Sequence, residues 1–167
     1  MHAKPEIERK FLIAKPDTAL LSSLPGAFCD SIVQTYLLAE PGVTARVRRR
    51  EGVAGVSYTH TEKRRLSDMT AMESEREITE EEYRALLAKA DPALRPIEKQ
   101  RYTVPMRDLF LEIDLYPFWE RQAVLEVELP SEDAALSLPP YLSVLCEVTE
   151  DRRYKNVCLA RCVPPEE

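Results

Sequence analysis

The sequence predicts a mainly β protein of the α+β kind: a closed eight-stranded antiparallel barrel, or tunnel, with a few helices packed outside it and at one end. Apolar and charged residues alternate with a period of two along most of the chain, which is the pattern of strands with two different faces. Helix signals are few, and strand candidates mostly follow one another directly, which favours antiparallel pairing. Closure into a barrel would remove exposed strand edges.

The first strand is expected at residues 6–13, because Glu6, Glu8 and Lys10 fall on one face and the other face is mostly apolar. Similar alternation predicts further strands at 32–39, 43–50, 56–63, 72–78, 96–104, 109–116, 123–129 and 143–149. Turn sequences such as Pro41-Gly42 and Glu51-Gly52 separate neighbouring strands, as expected for a sheet of sequential antiparallel strands.

Short helices are expected outside the barrel, each marked by a residue that can cap its first turn or by an apolar stripe. Their predicted positions are 16–24, capped by Asp17; 79 to about 91, capped by Thr79; a short segment capped by Ser131 and ended by Pro139-Pro140; and a terminal helix at 151–161. These helices would cover the apolar outer faces of the strands.

The composition fits one domain with one core, since 44% of the 167 residues are hydrophobic. We assign residues 1–163 to this domain and expect 164–167 to be a frayed tail. The net charge of −6 argues against a broad nucleic-acid interface. No apolar run is long enough for a membrane span or a signal peptide. We therefore expect a cytoplasmic protein without nucleic-acid or membrane partners; its oligomeric state is open, and a homodimer is possible.

Charged residues recur at every second position of the predicted strands. The acidic pairs are Glu6/Glu8, Glu73/Glu75, Glu112/Asp114 and Glu126/Glu128, the basic pairs are Arg46/Arg48 and Lys99/Arg101, and Lys10 and Lys63 are single. Any one pair could be a solvated outer face. The opposite faces are apolar, however, and would pack beneath the helices, so the charged faces should line the bore. Such a bore must balance its charges or bind a charged ligand.

The mixture of charges indicates the class of ligand. Lysine and arginine recognise phosphate oxygens, and arginine often does so with two parallel hydrogen bonds. Carboxylates in the same bore would repel phosphate unless a divalent cation lay between them, and Mg²⁺ is commonly held by carboxylates together with phosphate oxygens. Two histidines, and four cysteines without a CxxC spacing, argue against zinc. The sequence therefore predicts a polyphosphate site with Mg²⁺ or Mn²⁺.

The order of these motifs resembles that of the CYTH family, also called the triphosphate tunnel metalloenzymes. The chain opens with an ExExK motif at Glu6–Lys10. The motifs that follow in the family's order are Gln34-Thr35-Tyr36-Leu37, Thr44-Ala45-Arg46-Val47-Arg48, Thr61-Glu62-Lys63, Glu73-Ser74-Glu75, Ile97–Tyr102, Glu112-Ile113-Asp114, Leu125-Glu126-Val127-Glu128 and the EVTxDxxYxN ending at Glu147–Asn156. The resemblance extends over nearly the whole chain.

The resemblance implies a single CYTH domain at 1–163 that binds a small-molecule triphosphate in its tunnel. The implied triphosphate-binding residues are Lys10, Arg46, Arg48, Lys63, Lys99 and Arg101. The implied ligands of Mg²⁺ or Mn²⁺ are Glu6, Glu8, Glu126 and Glu128, with Glu73, Glu75 and Asp114 nearby. The implied catalytic pair is Lys10 and Tyr36, which would position or activate water.

The sequence departs from the family pattern in one stretch. Family members often carry an arginine just before the central ExE pair, and Ala71-Met72 occupies that place here. Arg64 or Arg65 could substitute, or one phosphate contact could be absent. Glu77 extends the acidic run, which leaves the register of the central pair open by two residues.

The resemblance implies metal-dependent hydrolysis of inorganic triphosphate or a related polyphosphate compound. Three alternatives stay open at this point. They are a class IV-type adenylate cyclase that makes cyclic AMP from ATP, a thiamine triphosphatase, and a non-catalytic polyphosphate-binding module. The carboxylates present near both ends of the chain favour an enzyme over the binding module, because a binding module would need only the basic set.

Overall fold

The computed structural model describes residues 3–167, which form nine strands and a few short helices. The strands are β1 (Lys4–Ala14), β2 (Phe28–Leu37), β3 (Val43–Gly52), β4 (Gly55–Arg65), β5 (Thr70–Glu77), β6 (Ile97–Met106), β7 (Leu109–Leu115), β8 (Gln122–Glu128) and β9 (Val144–Glu147). The helices are α1 (Thr18–Ser23), α2 (Glu80–Leu87) and α3 (Asn156–Leu159), and a 3₁₀ turn spans Arg152–Tyr154. Within the described residues, no helix has the length and apolar character needed to span a membrane.

Eight of the strands close into an antiparallel barrel in the order β5-β4-β3-β2-β6-β7-β8-β1. Closure depends on the first residues of β1, where Lys4–Ile7 pair with Thr70–Glu73 of β5. The later part of β1 pairs with β8 and, at Phe11–Ile13, also with the short extra strand β9. The predicted eight-stranded barrel is confirmed, and the strand candidate at 143–149 is the additional strand outside that closed ring.

The outer faces of the strands form the hydrophobic core together with the helices, as the alternation predicts. Leu21 of α1 packs with Ile113 and Leu125 in the largest buried cluster. Tyr83 of α2 packs against Val47 on β3 in a second cluster. Because successive side chains of a strand point to opposite faces, burial of these residues outside turns the charged positions inward.

Two of the predicted helix starts are confirmed by their caps. The Asp17 side chain accepts hydrogen bonds from the backbone N–H groups of Ala19 and Leu20, and the Thr79 hydroxyl accepts one from the N–H of Glu82. Satisfying these first N–H groups stabilises helices that are too short to persist alone.

The prediction of a helix after Ser131 is wrong, because that segment is irregular. Ala134, Leu136 and Leu138 instead pack at alternate positions on the main core cluster. Side chains two residues apart reach one surface in extended chain, whereas a helix would direct them to different sides. The segment therefore covers more of the barrel's apolar surface without a helix.

The C-terminal region also differs from the prediction. The expected helix at 151–161 is interrupted at Lys155, whose backbone is extended between the 3₁₀ turn and α3. The expected frayed tail packs on the barrel: the Pro164 carbonyl accepts a hydrogen bond from Trp119 Nε1 at 3.1 Å. Glu166 accepts a hydrogen bond from the backbone N–H of Arg121 at 2.6 Å. These contacts hold the last residues of the chain against the loop before β8.

One end of the bore is filled by an apolar cluster. Leu12 and Tyr36 from the inner faces of β1 and β2 pack there with Trp119 and with Tyr154 and Leu159 from the C-terminal segment. The charged part of the bore lies beyond this cluster, so the apolar cluster limits the depth of the site.

Candidate active site

A cavity of about 430 Å³ occupies the charged part of the bore, and all eight barrel strands contribute side chains to its wall. The predicted site residues that line it are Glu6, Glu8, Lys10, Tyr36, Arg46, Arg48, Lys63, Glu73, Glu75, Arg101, Glu126 and Glu128. Strand register brings opposite charges together, since Lys10 lies opposite Glu126 and Lys63 opposite Glu73. Cross-strand neighbours of this kind lie close enough to interact.

Lys10 is buried at the floor of the cavity and is held by a carboxylate. Its Nζ lies 2.9 Å from Glu126 Oε1 and donates to the Tyr154 carbonyl at 3.3 Å. Burial opposes the charge of the ammonium group, but Glu126 and Glu8 together outweigh burial and raise the pKa of Lys10. Lys10 is therefore a cation at neutral pH and not a free base.

Lys63 is paired in a similar way near the other side of the cavity. Its ammonium group forms an ion pair with Glu6 and lies 3.7 Å from Glu73 Oε2. Burial lowers the pKa of Lys63, but the carboxylates of Glu8 and Glu6 more than reverse this, and the net shift is upward. Lys63 is thus positively charged, and a phosphate could replace Glu6 as its ion-pair partner.

Lys99 and Asp114 are not among the residues that line the cavity. Their side chains are fully buried behind the wall, where Lys99 Nζ lies 2.6 Å from Asp114 Oδ2. Asp114 also accepts two hydrogen bonds of 2.7 Å from Arg101. Burial raises the pKa of Asp114, but Arg101 and Lys99 lower it further than burial raises it, so the carboxylate is ionised and fully engaged. Asp114 thus holds Arg101 in place, and neither Lys99 nor Asp114 is exposed to a ligand.

Arg101 itself reaches the cavity and connects this support to the acidic wall. Its Nη1 lies 2.6 Å from Glu112 Oε2, and its Nη2 lies 3.2 Å from Glu126 Oε2. Burial opposes its charge, but Asp114 and Glu112 outweigh burial and raise its pKa. Since a guanidinium group has a fixed planar shape, these contacts also fix the direction in which Arg101 faces the cavity.

Arg46 and Arg48 differ from the other cations because, within residues 3–167, neither forms an ion pair. The Nε atoms of both are buried and have no hydrogen-bond partner among the described groups. Arg48 has only a long contact, 3.4 Å, from Nη2 to Gln34 Oε1. Burial, followed by the charges of Arg46 and Arg101, lowers the pKa of Arg48 to about 10. Buried donors are rarely left unsatisfied, and an anion in the cavity would supply the acceptors that these two side chains lack.

Tyr36 lies beside these arginines on β2. Its hydroxyl accepts a hydrogen bond of 2.9 Å from Gln34 Nε2. Burial raises the pKa of the phenol, and the charges of Arg46, Arg48 and Lys10 only partly reverse the effect. The phenol is therefore protonated at neutral pH and can donate a hydrogen bond into the cavity.

The carboxylate side chains of the cavity are chemically suited to bind a hard divalent cation. Carboxylate oxygens are the ligands that Mg²⁺ and Mn²⁺ prefer, and Glu73 Oε2 is buried without a hydrogen-bond partner among the described groups. Among residues 3–167, no three His, Cys, Asp or Glu side chains are already grouped to hold a metal ion. Glu6 and Glu126 are instead held by Lys63 and Lys10. These two carboxylates would become available to bind a metal ion when the lysines form ion pairs with another anion.

Comparison with known proteins identifies the family. A protein named inorganic triphosphatase, from Nitrosomonas europaea, is 35% identical over 164 residues, which cover 95% of this chain and 99% of the relative. The chain belongs to the triphosphate tunnel metalloenzyme (CYTH) family. No protein-family model matches the chain. The crystal structure of the inorganic triphosphatase NE1496 is similar over 99% of this chain and 100% of that one, with a TM-score of 0.59 and 31% identity.

The tunnel fold extends to more distant proteins. The PH1819 protein from Pyrococcus horikoshii OT3 covers 77% of this chain and 80% of its own, with a TM-score of 0.58 and 15% identity. The barrel fold is thus shared with a protein that has little sequence identity to this chain.

The structure resolves the stretch in which this triphosphate tunnel metalloenzyme departs from the family pattern. Glu73 and Glu75 line the cavity and Glu77 does not, so the central acidic pair is Glu73/Glu75. Arg65 lines the cavity and Arg64 does not, but Arg65 forms an ion pair with Asp68. Arg65 therefore lies near the position of the absent arginine, but it is already paired with the carboxylate of Asp68.

Several residues that line the cavity were not among the predicted catalytic, substrate-binding or metal-binding residues. They are Lys4, Thr44, Arg50, Thr61, Glu112, Arg152, Lys155 and Asn156. Glu112 and Asn156 lie in recognised motifs and could have been included on that basis. Lys155 gave no signal, because it falls at an unspecified position of the C-terminal motif. Asn156 is oriented by the Tyr116 hydroxyl, which donates to its Oδ1 at 2.7 Å.

Proposed function

We propose that this protein is a divalent-metal-dependent triphosphatase that hydrolyses inorganic triphosphate in the cavity. The observation that carries the proposal is the pair Arg46 and Arg48, which line the cavity with buried Nε atoms and without an ion-pair partner among the described residues. A polyphosphate would supply the missing acceptors. The name of the relative from Nitrosomonas europaea supports the same substrate.

Substrate binding follows from the two kinds of cation in the wall. Arg46 and Arg48 would donate hydrogen bonds to phosphate oxygens directly, because binding replaces no existing ion pair. Lys10 and Lys63 would exchange their carboxylate partners for phosphate oxygens, and Arg101 would stay fixed by Asp114 behind it. Pre-positioned cations of this kind stabilise the charge that spreads over the transferred phosphoryl group.

In the reaction, a water oxygen bonds to a terminal phosphorus while the bridging P–O bond breaks, so orthophosphate and pyrophosphate form. Lys10 and Tyr36 are both protonated in the free site, so their proposed role is to orient the water and the phosphoryl group by donating hydrogen bonds. The proton of the attacking water would leave through the cavity mouth to solvent. This assignment differs from a base mechanism, in which Lys10 would need to be neutral.

The metal would be held by Glu6, Glu8, Glu126 and Glu128, with Glu73 and Glu75 nearby on β5. When bound, Mg²⁺ or Mn²⁺ supplies positive charge to the phosphoryl oxygens and lowers the pKa of bound water. Asp114 has no place in this set, since it is enclosed by Lys99 and Arg101. Lys10 and Lys63 must release Glu126 and Glu6 for the set to form, which couples metal binding to substrate binding.

The test is a phosphate-release assay with inorganic triphosphate, thiamine triphosphate and ATP, each with Mg²⁺ or Mn²⁺, and with cyclic AMP measured in parallel. We expect release from inorganic triphosphate to exceed release from the other two, and no release in excess chelator. Preferred turnover of thiamine triphosphate, or cyclic AMP from ATP, would replace the proposal with one of those functions. Tight binding of triphosphate without turnover would leave only a binding module.

A further inference from the structure

Lys155 brings a positive charge to the cavity from outside the barrel. It lies between the 3₁₀ turn and α3, and its side chain lines the same cavity as Lys10 and Lys63. Its Nζ lies 3.7 Å from Glu8 Oε1 and 3.5 Å from the Asp68 carbonyl oxygen. Both distances are longer than a good hydrogen bond, so the ammonium group retains donor capacity for a ligand.

The adjacent wall of the cavity carries an uncharged residue at the place where family members often carry an arginine. Ala71 on β5 lines the wall, and its register places it across from Glu6 on β1 and from Arg65 on β4. Arg65 is paired with Asp68. Lys155 reaches the same loop, because its Nζ contacts the Asp68 carbonyl. The C-terminal segment thus provides a charge where the strand provides only a methyl group.

The fold holds Lys155 in this position. Tyr154, the residue before it, is buried in the apolar cluster that fills one end of the bore. Leu159 of α3 is buried in the same cluster. The backbone of Lys155 is therefore anchored on both sides, so little conformational freedom is lost when its side chain binds an anion.

We propose that Lys155 is a substrate-binding residue that donates hydrogen bonds to phosphoryl oxygens of triphosphate, on the side of the cavity formed by β1 and the β4–β5 loop. This inference rests on the proposed function and adds a binding group from outside the barrel. The competing explanation is that Lys155 only fastens the C-terminal segment to the loop through Asp68.

The test compares Lys155→Met, Lys155→Arg and the matched control Lys89→Met, which removes the same charge from an exposed side chain that does not line the cavity. For Lys155→Met we expect the KM for triphosphate to rise about tenfold, the range for one lost charge-assisted hydrogen bond, while kcat stays within about threefold. Lys155→Arg should keep the KM within about threefold of the unaltered protein, and Lys89→Met should match it.

The outcomes separate the explanations. A KM for Lys155→Met within about twofold of the unaltered protein would overturn the proposal. If the Tm were also lowered, the role of Lys155 would be to attach the C-terminal segment to the loop at Asp68. A KM raised equally by Lys155→Arg would also overturn it, because charge would then not be the property that matters. If the unaltered protein does not turn over triphosphate, the proposed function fails separately. Calorimetric titration with triphosphate then decides, with about tenfold weaker binding by Lys155→Met in support and equal binding against.

Discussion

Replacing Arg48 by methionine should stabilise the free protein while weakening its binding of triphosphate. Methionine keeps an unbranched stem of similar length but removes the guanidinium charge. Arg48 has only a long hydrogen bond to Gln34, so little is lost on the protein side. The substitution therefore separates what the residue does for folding from what it does for the ligand.

The magnitude follows from the electrostatics of the free site. Arg48 is only 9% exposed, and burial, followed by the charges of Arg46 and Arg101, lowers its pKa by more than two units, to about 10. One pKa unit corresponds to about 1.4 kcal/mol, so keeping Arg48 charged at pH 7 costs about 3 kcal/mol. Water in the cavity reduces this cost, and we expect Arg48→Met to raise the free energy of unfolding by about 1–3 kcal/mol.

Triphosphate acts against this difference, because it stabilises the unaltered protein more than the variant. At a triphosphate concentration of 100 times its Kd, the unaltered protein should gain about 2.7 kcal/mol. Loss of one charge-assisted contact of about 1.5–3 kcal/mol weakens binding roughly 10-fold to 100-fold, so the variant should gain only about 0.4–1.4 kcal/mol at the same concentration.

Urea unfolding at pH 7, with and without triphosphate, measures both effects in one experiment. Arg46→Met is the matched comparison, because Arg46 lies beside Arg48 on the same strand face, and burial is outweighed there by Tyr36, Glu73 and Glu75, which raise its pKa. The removal of Arg46 should therefore weaken binding without stabilising the free protein. A destabilised Arg48→Met variant, or one that gains as much from triphosphate as the unaltered protein, would refute the reasoning.

Three further substitutions test other parts of the site. Asp114→Asn should lower the free energy of unfolding by about 3–5 kcal/mol, because it removes the carboxylate that pairs with the buried Lys99 and one of the three that hold Arg101; a loss below 1 kcal/mol in urea unfolding would contradict this. Glu126 has a pKa held well below its ordinary value, with Lys10 the strongest of the groups that lower it. Its stabilisation is complete above the unfolded pKa of about 4.3 and is lost as pH falls toward the folded pKa. Glu126→Gln should therefore flatten the acid side of the stability profile, and an unchanged slope below pH 5 would oppose the assignment. Gly52→Ala should cost about 1–3 kcal/mol, since a Cβ there would overlap Asp30 Oδ1; calorimetry showing an unchanged Tm would indicate that Asp30 moves freely.

The barrel could be predicted because side-chain direction in a strand repeats every second residue. Once Glu6, Glu8 and Lys10 are assigned to one face, the apolar residues between them must face the other way. The same reasoning assigned Arg46 and Arg48 to the bore, and both line the cavity. Period-two patterning thus determines which face of each strand is inside.

Depth along the bore could not be predicted in this way. Lys99 and Arg101 share a face on β6, yet only Arg101 reaches the cavity, and Asp114 is enclosed with Lys99 behind the wall. Depth depends on the tilt and stagger of the strands, which alternation does not encode. The resemblance gave the right face for these residues but not their exposure to a ligand.

The regions outside the strands were predicted least well. The segment after Ser131 had a helix signal, but its alternate apolar side chains gain more by packing on the barrel in extended form. Lys155 reaches the cavity because Tyr154 and Leu159 anchor its segment across the end of the bore, a long-range arrangement with no local pattern. Local signals cannot report such contacts, since the partners are far apart in sequence.

The central claim is that the cavity both binds and hydrolyses inorganic triphosphate, and phosphorus NMR of the reaction mixture tests it most directly. The protein is incubated with inorganic triphosphate and Mg²⁺ or Mn²⁺, and the phosphate species are followed over time. We predict that the triphosphate signals disappear while pyrophosphate and orthophosphate appear in equal amounts, and that Arg48→Met slows this conversion. Triphosphate signals that persist at protein and metal concentrations sufficient for binding would contradict the claim.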